Sequence, residues 1–299
     1  MTSAPGPRSA ALAACFAQHH PLFKHSVAQV ASAGDEASVA LEETLAHLCG
    51  DDEALRAAAA GYAAFALDAM RRERRFETDP SYPVKSFAET ADDVYLDEAF
   101  MARTYLPGLL LSHHLWAHQR AQLAFFEQAF MRRTAATAGS AFVEVGLGTG
   151  LYSRRLLQLR PDARVTGYDI SPAAVAFARA HIAAFGLSDR FRAELRDALA
   201  EPPGPGAHLV CVEVLEHLED PPALLTALRV ALAPQRFAFI TTALNAPNVD
   251  HIYLYRRPSE VEAQLMAAGF TVDDAFAADA YPPRRPGLPV PSLAAYVVH

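Results

Sequence analysis

The stretch Phe142-Val-Glu-Val-Gly-Leu-Gly-Thr-Gly150 constrains the fold more than any other part of this chain. Its first half, from Ala141 to Val145, is an apolar run that reads as the end of a buried strand. Three alternate glycines follow, Gly146, Gly148 and Gly150. A helical pattern of Leu151, Tyr152, Arg155, Leu156 and Leu159 starts at once. Strand, glycine turn and helix let backbone come close to a ligand at a helix N-terminus. A Cβ in such a turn blocks the approach or resists positive φ. Acids accompany the turn. Glu144 lies two residues before the first glycine, Asp169 follows a second predicted strand (Arg164–Tyr168), and Asp197 follows a third (Arg190–Leu195). Carboxylates at the ends of successive parallel strands line the crevice where open α/β sheets bind ligands.

An acid just ahead of the turn repels a pyrophosphate and suits a cationic group. The pattern Glu-x-Gly-x-Gly-x-Gly resembles the class I S-adenosylmethionine (SAM) methyltransferase family, over roughly residues 136 to 299. The resemblance implies SAM as cofactor, bound over Gly146, Gly148 and Gly150. Glu144 would face its methionine end and Asp169 would take both ribose hydroxyls, with Ile170 against the adenine. Asp197 would accept from the adenine amine and Ala198 would supply backbone. Glu213 would lie near the carboxypropyl chain.

Downstream of the turn the predicted elements alternate. Strands fall at 142–145, 164–169, 190–195, 208–214, 236–242, 270–276 and 293–298, and helices at 151–159, 172–185, 221–232 and 258–268. Alternation of this kind argues a mostly parallel sheet covered on both faces. The last two strands lack an intervening helix and resemble the family's closing antiparallel hairpin. The expected class is therefore α/β, a Rossmann-like seven-stranded sheet, behind an all-helical N-terminal cap. The boundary is drawn at the small-residue linker Thr134–Ser140, giving a cap over residues 1–135 and a SAM-binding domain over 136–299.

After a leader at 1–8, the pattern to Arg75 is alanine-rich and helical, with Asp51-Asp52-Glu53 as a helix start. The run Arg71–Arg75 reads as a solvated helix C-terminus. Phe87–Arg133 is rich in aromatics, with a break or a cap between helices expected at Pro107-Gly108 and with His114 and His118 on one helix face. The cap is expected to build the acceptor pocket or a homodimer contact. The proline-rich stretch 281–291 reads as an exposed loop or as a lid.

A net charge of −8 disfavours a general attraction to nucleic acid or anionic membrane. Three widely spaced cysteines form neither a disulfide framework nor a zinc pattern, which fits a cytoplasmic location. No apolar run approaches the ~20 residues that span a bilayer.

A second constellation follows the fourth strand. Glu213, Glu216 and His217 fall at i, i+3 and i+4, and Asp250-His251 follows the fifth strand. Two carboxylates and two imidazoles suit a divalent ion. Glu-Val-Leu-Glu-His, then Asn-x-Pro-Asn and Asp-His-x-Tyr, resembles the metal-dependent small-RNA 2′-O-methyltransferases. Its first half is also similar to the ubiquinone-biosynthesis O-methyltransferases. The resemblance implies Glu213, Glu216, His217 and His251 as ligands of Mg, Mn or Fe. Without a metal, His217 or His251 is the base candidate. The expected activity is SAM-dependent O- or C-methylation of a small-molecule metabolite. The alternatives are RNA 2′-O-methylation, metal-free N-methylation and a non-catalytic SAM-binding module.

Overall fold

The computed structural model describes residues 6–136, 141–283, 285 and 287–299. Parts of three sequence expectations lie outside the described residues: the start of the leader, the linker at 137–140, and positions 284 and 286 of the proline-rich stretch.

Seven strands form one sheet: β1 (Ala141–Val145), β2 (Arg164–Asp169), β3 (Phe191–Leu195), β4 (His208–Cys211), β5 (Ala238–Leu244), β6 (Val272–Asp279) and β7 (Ser292–Val298). Their order is β3-β2-β1-β4-β5-β7-β6. The first five pair in parallel, and β7 runs antiparallel to both β5 and β6. β4 and β5 are buried along their whole length, as central strands covered on both faces must be, whereas β6 alternates in exposure at the edge. The fold is the expected Rossmann-like one. Chain order reverses between β1 and β4, so the crevice of an open parallel sheet opens at their C-terminal ends.

Helices precede the sheet and cover it. They are α1 (Pro7–His19), α2 (Lys24–Ala31), α3 (Glu36–Leu48), α4 (Asp52–Phe76), α5 (Phe87–Thr90), α6 (Glu98–Phe100), α7 (Leu106–Leu115), α8 (Ala117–Phe125) and α9 (Arg132–Ala135). Between and after the strands come α10 (Leu151–Leu159), α11 (Pro172–Ala184), α12 (Pro221–Ala231) and α13 (Pro258–Ala267). Asp51 caps α4 by accepting from the Ala54 N–H, and Arg74 and Arg75 occupy its last turn, as the sequence implied. Pro7 and Arg8, expected in the leader, open α1 instead. The Arg8 N–H donates to Glu42 of α3, which supplies the partner that a free leader would lack.

The two faces of the sheet carry separate cores. Leu209, Cys211 and Ile240 pack against Leu225 and Leu228 of α12 and Leu265 of α13. Val210, Phe239 and Phe142 pack against Leu156 and Leu157 of α10, and against Phe126 and Phe130 from the helical turn that follows α8. The end of the N-terminal helical region thus shares a core with the sheet.

Two helical expectations are corrected. The chain does not break at Pro107-Gly108: helix runs from Glu98 through Leu115. Pro107 has no N–H to return to the Arg103 carbonyl, and the wider π-type turn at Met101–Tyr105 absorbs the missing bond. Gly108 serves packing, because a Cβ there would overlap Phe65 of α4. The break comes at Trp116, which is extended between α7 and α8 (φ −90°, ψ 127°). His114 and His118 consequently stand on different helices.

Candidate active site

A cavity of about 590 Å³ opens at the C-terminal ends of the strands. One end is built by the glycine turn and the acids. Gly146, Gly148 and Gly150 all have positive φ (73°, 50° and 72°). Gly146 and Gly148 line the cavity, and a Cβ on Gly146 would overlap Val214. Gly150 does not line it. Gly150 is the left-handed cap of α10, packed where a Cβ would meet Ala178 at 3.0 Å, so its glycine is required by helix packing rather than by approach to a ligand.

Asp169, at the end of β2, spans the turn. Its Oδ2 accepts from the Gly148 N–H at 2.8 Å and its Oδ1 from the Ser171 N–H at 2.8 Å. Burial pushes its carboxyl above the usual range, against those hydrogen bonds. Ile170, Asp197 and Ala198 line the same end. Asp197 accepts from the Leu199 N–H at 2.8 Å, which holds the loop after β3. Glu144 is buried and accepts from the Ser153 N–H (3.0 Å) and hydroxyl, tying β1 to the first turn of α10. Burial raises its carboxyl to about 8.

The other end holds the second constellation, in a form different from the expected one. β4 stops at Cys211 rather than at 214. Glu213 turns out of the strand with φ 53°, an uncommon conformation for a residue with a side chain. Thr241 holds it there. The hydroxyl accepts from the Glu213 N–H at 3.0 Å and donates to the Glu213 carboxylate at 2.9 Å. Glu216, His217 and His251 form the group that converges, with one donor atom from each lying within 4.8 Å of the others. Glu213 is not in that group, so the expected four-ligand set reduces to three. The extra turn after Cys211 commits its carboxylate to Thr241.

Glu216 is fully buried, accepting from the Thr242 hydroxyl (2.7 Å) and the Ala243 N–H (3.1 Å), and does not line the cavity. His217 and His251 do, with ring centroids 4.9 Å apart. Burial and the neighbouring His217 lower the His251 imidazole. Burial also opposes charge on His217, but the Asp250 and Glu216 carboxylates outweigh it and raise that ring. Two imidazoles and one carboxylate converge here in a way that could hold a divalent ion, with both Glu216 oxygens also accepting hydrogen bonds.

Sequence reading singled out Asp250 and the aromatics of the helical region but not the contacts that join them at this end. Asp250 is fully buried and its Oδ2 accepts from Tyr105 (2.5 Å) and Tyr95 (3.1 Å). The Tyr95 hydroxyl also lies 2.9 Å from His217 Nδ1. Phe65, Trp116 and Tyr62 of the helical region continue the wall, and Tyr281 closes it, donating to Glu73 of α4 at 2.9 Å. In the sequence the tyrosines stand among aromatics that suit either a planar acceptor or a core. Nothing in a pattern 145 residues away marks Tyr105 as a partner of Asp250.

Residues 143–235 match the family described as a methyltransferase domain. A ubiquinone biosynthesis O-methyltransferase of Xanthomonas euvesicatoria pv. vesicatoria (strain 85-10) is 30% identical over 157 residues, which is 46% of this chain and 65% of the relative. One of Xylella fastidiosa (strain 9a5c) is 31% identical over 157 residues, 46% of this chain and 63% of the relative. The chain thus spans just under two thirds of the length of these relatives. Among solved structures, the mitomycin 7-O-methyltransferase MmcR superposes with a TM-score of 0.51 at 17% identity, covering 97% of this chain and 94% of that one. The Haemonchus contortus phosphoethanolamine N-methyltransferase 2, solved with S-adenosyl-L-methionine, gives 0.53 at 14% identity, covering 72% of this chain and 60% of that one. These superpositions concern the fold. Among the described residues, no helix is long and apolar enough to cross a membrane.

Proposed function

We propose that this chain, whose residues 143–235 match a methyltransferase domain, transfers a methyl group from SAM to an oxygen of a small-molecule acceptor. The observation that carries the reading is the continuity of the cavity. One space joins the glycine turn and the acids of β2 and β3 to the imidazoles after β4 and β5. The names of the curated relatives support oxygen as the atom methylated.

SAM would supply a methyl group on sulfonium for in-line displacement. Asp169 holds the ribose hydroxyls, Ile170, Asp197 and Ala198 hold the adenine, and Glu144 and Glu213 face the methionine end. Residues 1–135 act as a cap: Phe65 and Trp116, stacked at 6.0 Å, and the tyrosines form an apolar wall suited to a planar acceptor and to excluding water. His217 or His251 takes the hydroxyl proton as the acceptor oxygen attacks.

A second reading rests on the convergence of three donors. Glu216, His217 and His251 would hold a divalent ion, which would lower the pKa of an acceptor hydroxyl. The test is transfer of labelled methyl from SAM to pools of phenols and catechols, of amines and of RNA, using chelator-treated protein with and without added Mg²⁺, Mn²⁺ or Fe²⁺. Label in phenols or catechols, abolished in His217→Ala and His251→Ala, is expected. Label only in amines or RNA would overturn the oxygen small-molecule reading. Indifference to every ion would remove the metal.

A further inference from the structure

We propose that Asp250 is a positioning residue for His217, acting on the methyl transfer proposed above by fixing which ring nitrogen carries the proton. The hydrogen-bond inventory around Nδ1 argues this. Three groups face that atom: the Asp250 carbonyl at 3.1 Å, the Asp250 Oδ2 at 3.4 Å and the Tyr95 hydroxyl at 2.9 Å. The two Asp250 oxygens only accept. Tyr95 has a single hydrogen, and the carboxylate Oδ2, 3.1 Å away, is the stronger acceptor for it. The tyrosine oxygen then presents a lone pair to the ring. Tyr105 donates to the same Oδ2 at 2.5 Å, which anchors the carboxylate without competing for the imidazole. Every partner of Nδ1 is therefore an acceptor, so Nδ1 carries hydrogen and Nε2 keeps the lone pair. In that tautomer Nε2 holds the lone pair that can take a proton from an acceptor hydroxyl.

Burial makes the arrangement consequential. Asp250 is fully buried. Tyr105 and Tyr95 both donate to its Oδ2, which holds that oxygen in place as an acceptor beside Nδ1. Among the described residues, no other residue donates to its second oxygen, Oδ1, which is buried. Tyr95 extends the network to the cofactor end. Its carbonyl accepts from the hydroxyl of Ser171 at 2.7 Å, and the Ser171 N–H is bonded to Asp169. The same short segment thus touches both ends of the cavity.

The test reads the tautomer directly and needs no acceptor. Chelator-treated protein carrying ¹⁵N-labelled histidine is examined by NMR in alkaline buffer, where the ring is neutral. The expected wild-type result is a protonated, pyrrole-type Nδ1 and an unprotonated Nε2 for His217. Asp250→Asn keeps the shape but leaves a weaker acceptor at Oδ2, so the Tyr95 hydroxyl can turn its hydrogen to Nδ1 and the other tautomer should gain population. Turnover of catechol with SAM should fall by roughly a hundredfold in kcat, within the range that general-base catalysis contributes, with KM little changed. Tyr95→Phe should keep the wild-type tautomer, because both Asp250 acceptors remain. An unprotonated Nδ1 in wild type overturns the proposal even if the Asn variant does not fold. So does an unchanged tautomer in a folded Asp250→Asn protein, or a tautomer switch in Tyr95→Phe. If the tautomer behaves as expected while no methyl is transferred to any acceptor, the proposed function fails and the positioning of His217 stands.

Discussion

Glu144 is a buried carboxyl whose charge state is tied to what occupies the cavity. Its pKa is raised from an ordinary 4.5 to about 8, chiefly by burial, with Asp169 adding to the effect and Ser153 opposing it. The unfolded chain releases this proton near the ordinary value, whereas the folded chain holds it to about 8. Between those values the native state binds more protons than the unfolded one, so stability falls as pH rises through the window. Glu144→Gln should flatten that fall in the melting temperature of the free protein. The amide oxygen can still accept from Ser153, so the fold is retained. On the proposed reading, the cationic methionine end of SAM draws the pKa down. At pH 7 SAM binding should then release a proton in wild type and not in Glu144→Gln. Calorimetry in buffers of different ionisation enthalpy measures this, and equal proton release in both proteins would remove Glu144 from that role. Glu144 and Asp169 were legible in the sequence because acids at strand ends follow a local rule. The link of Asp250 to Tyr95 and Tyr105 was not, because it lies in contacts 145 to 155 residues apart.

Elements were read well where one local signal dominated and less well where two competed. All seven strands stand near their expected places, since strand-length apolar runs bounded by turn residues identify them. β4 was read too long because Val212 and Val214 continue a β-branched pattern. The tertiary demand that Glu213 meet Thr241 ends the strand at Cys211 instead. Pro107 misled in the opposite direction, because a π-type turn can carry a helix through proline. The helical turn after α8 is the most consequential element that composition did not place. Phe126 and Phe130 are fully buried, and Phe126 meets Phe239 of β5 edge-on at 5.1 Å. Phe126→Ala leaves a cavity on the sheet face and should cost about 3–5 kcal/mol, as large aromatic truncations in cores do. Urea unfolding measures it. A loss near zero would mean that this turn lies on the sheet without supporting it.

At the scale of the whole molecule, the cavity is a seam between the N-terminal helices and the sheet. Its floor is the glycine turn, its far wall is Phe65, Trp116 and Tyr105, and its chemistry sits where Tyr95 and Asp250 cross from one to the other. The cores are continuous across that seam. Val94, Met101 and Leu106 pack on Ala174 of α11, and Leu109 approaches Gly148. A ligand in such a seam stabilises both sides, because opening either side removes its contacts. SAM at about a hundred times its Kd should add about 2.7 kcal/mol to the native state. That increment should appear as slowed amide exchange in Tyr95–Trp116 as well as in Gly146–Ser153. Mass spectrometry of exchanged peptides, with and without SAM, reads both segments in one experiment. Protection confined to residues after 141 would mean that the helices merely flank a self-sufficient cofactor site. Protection on both sides would make the cap part of the binding machinery. The network from Asp169 through Ser171 and Tyr95 to His217 then supplies the physical route by which a filled cofactor end orders the acceptor end.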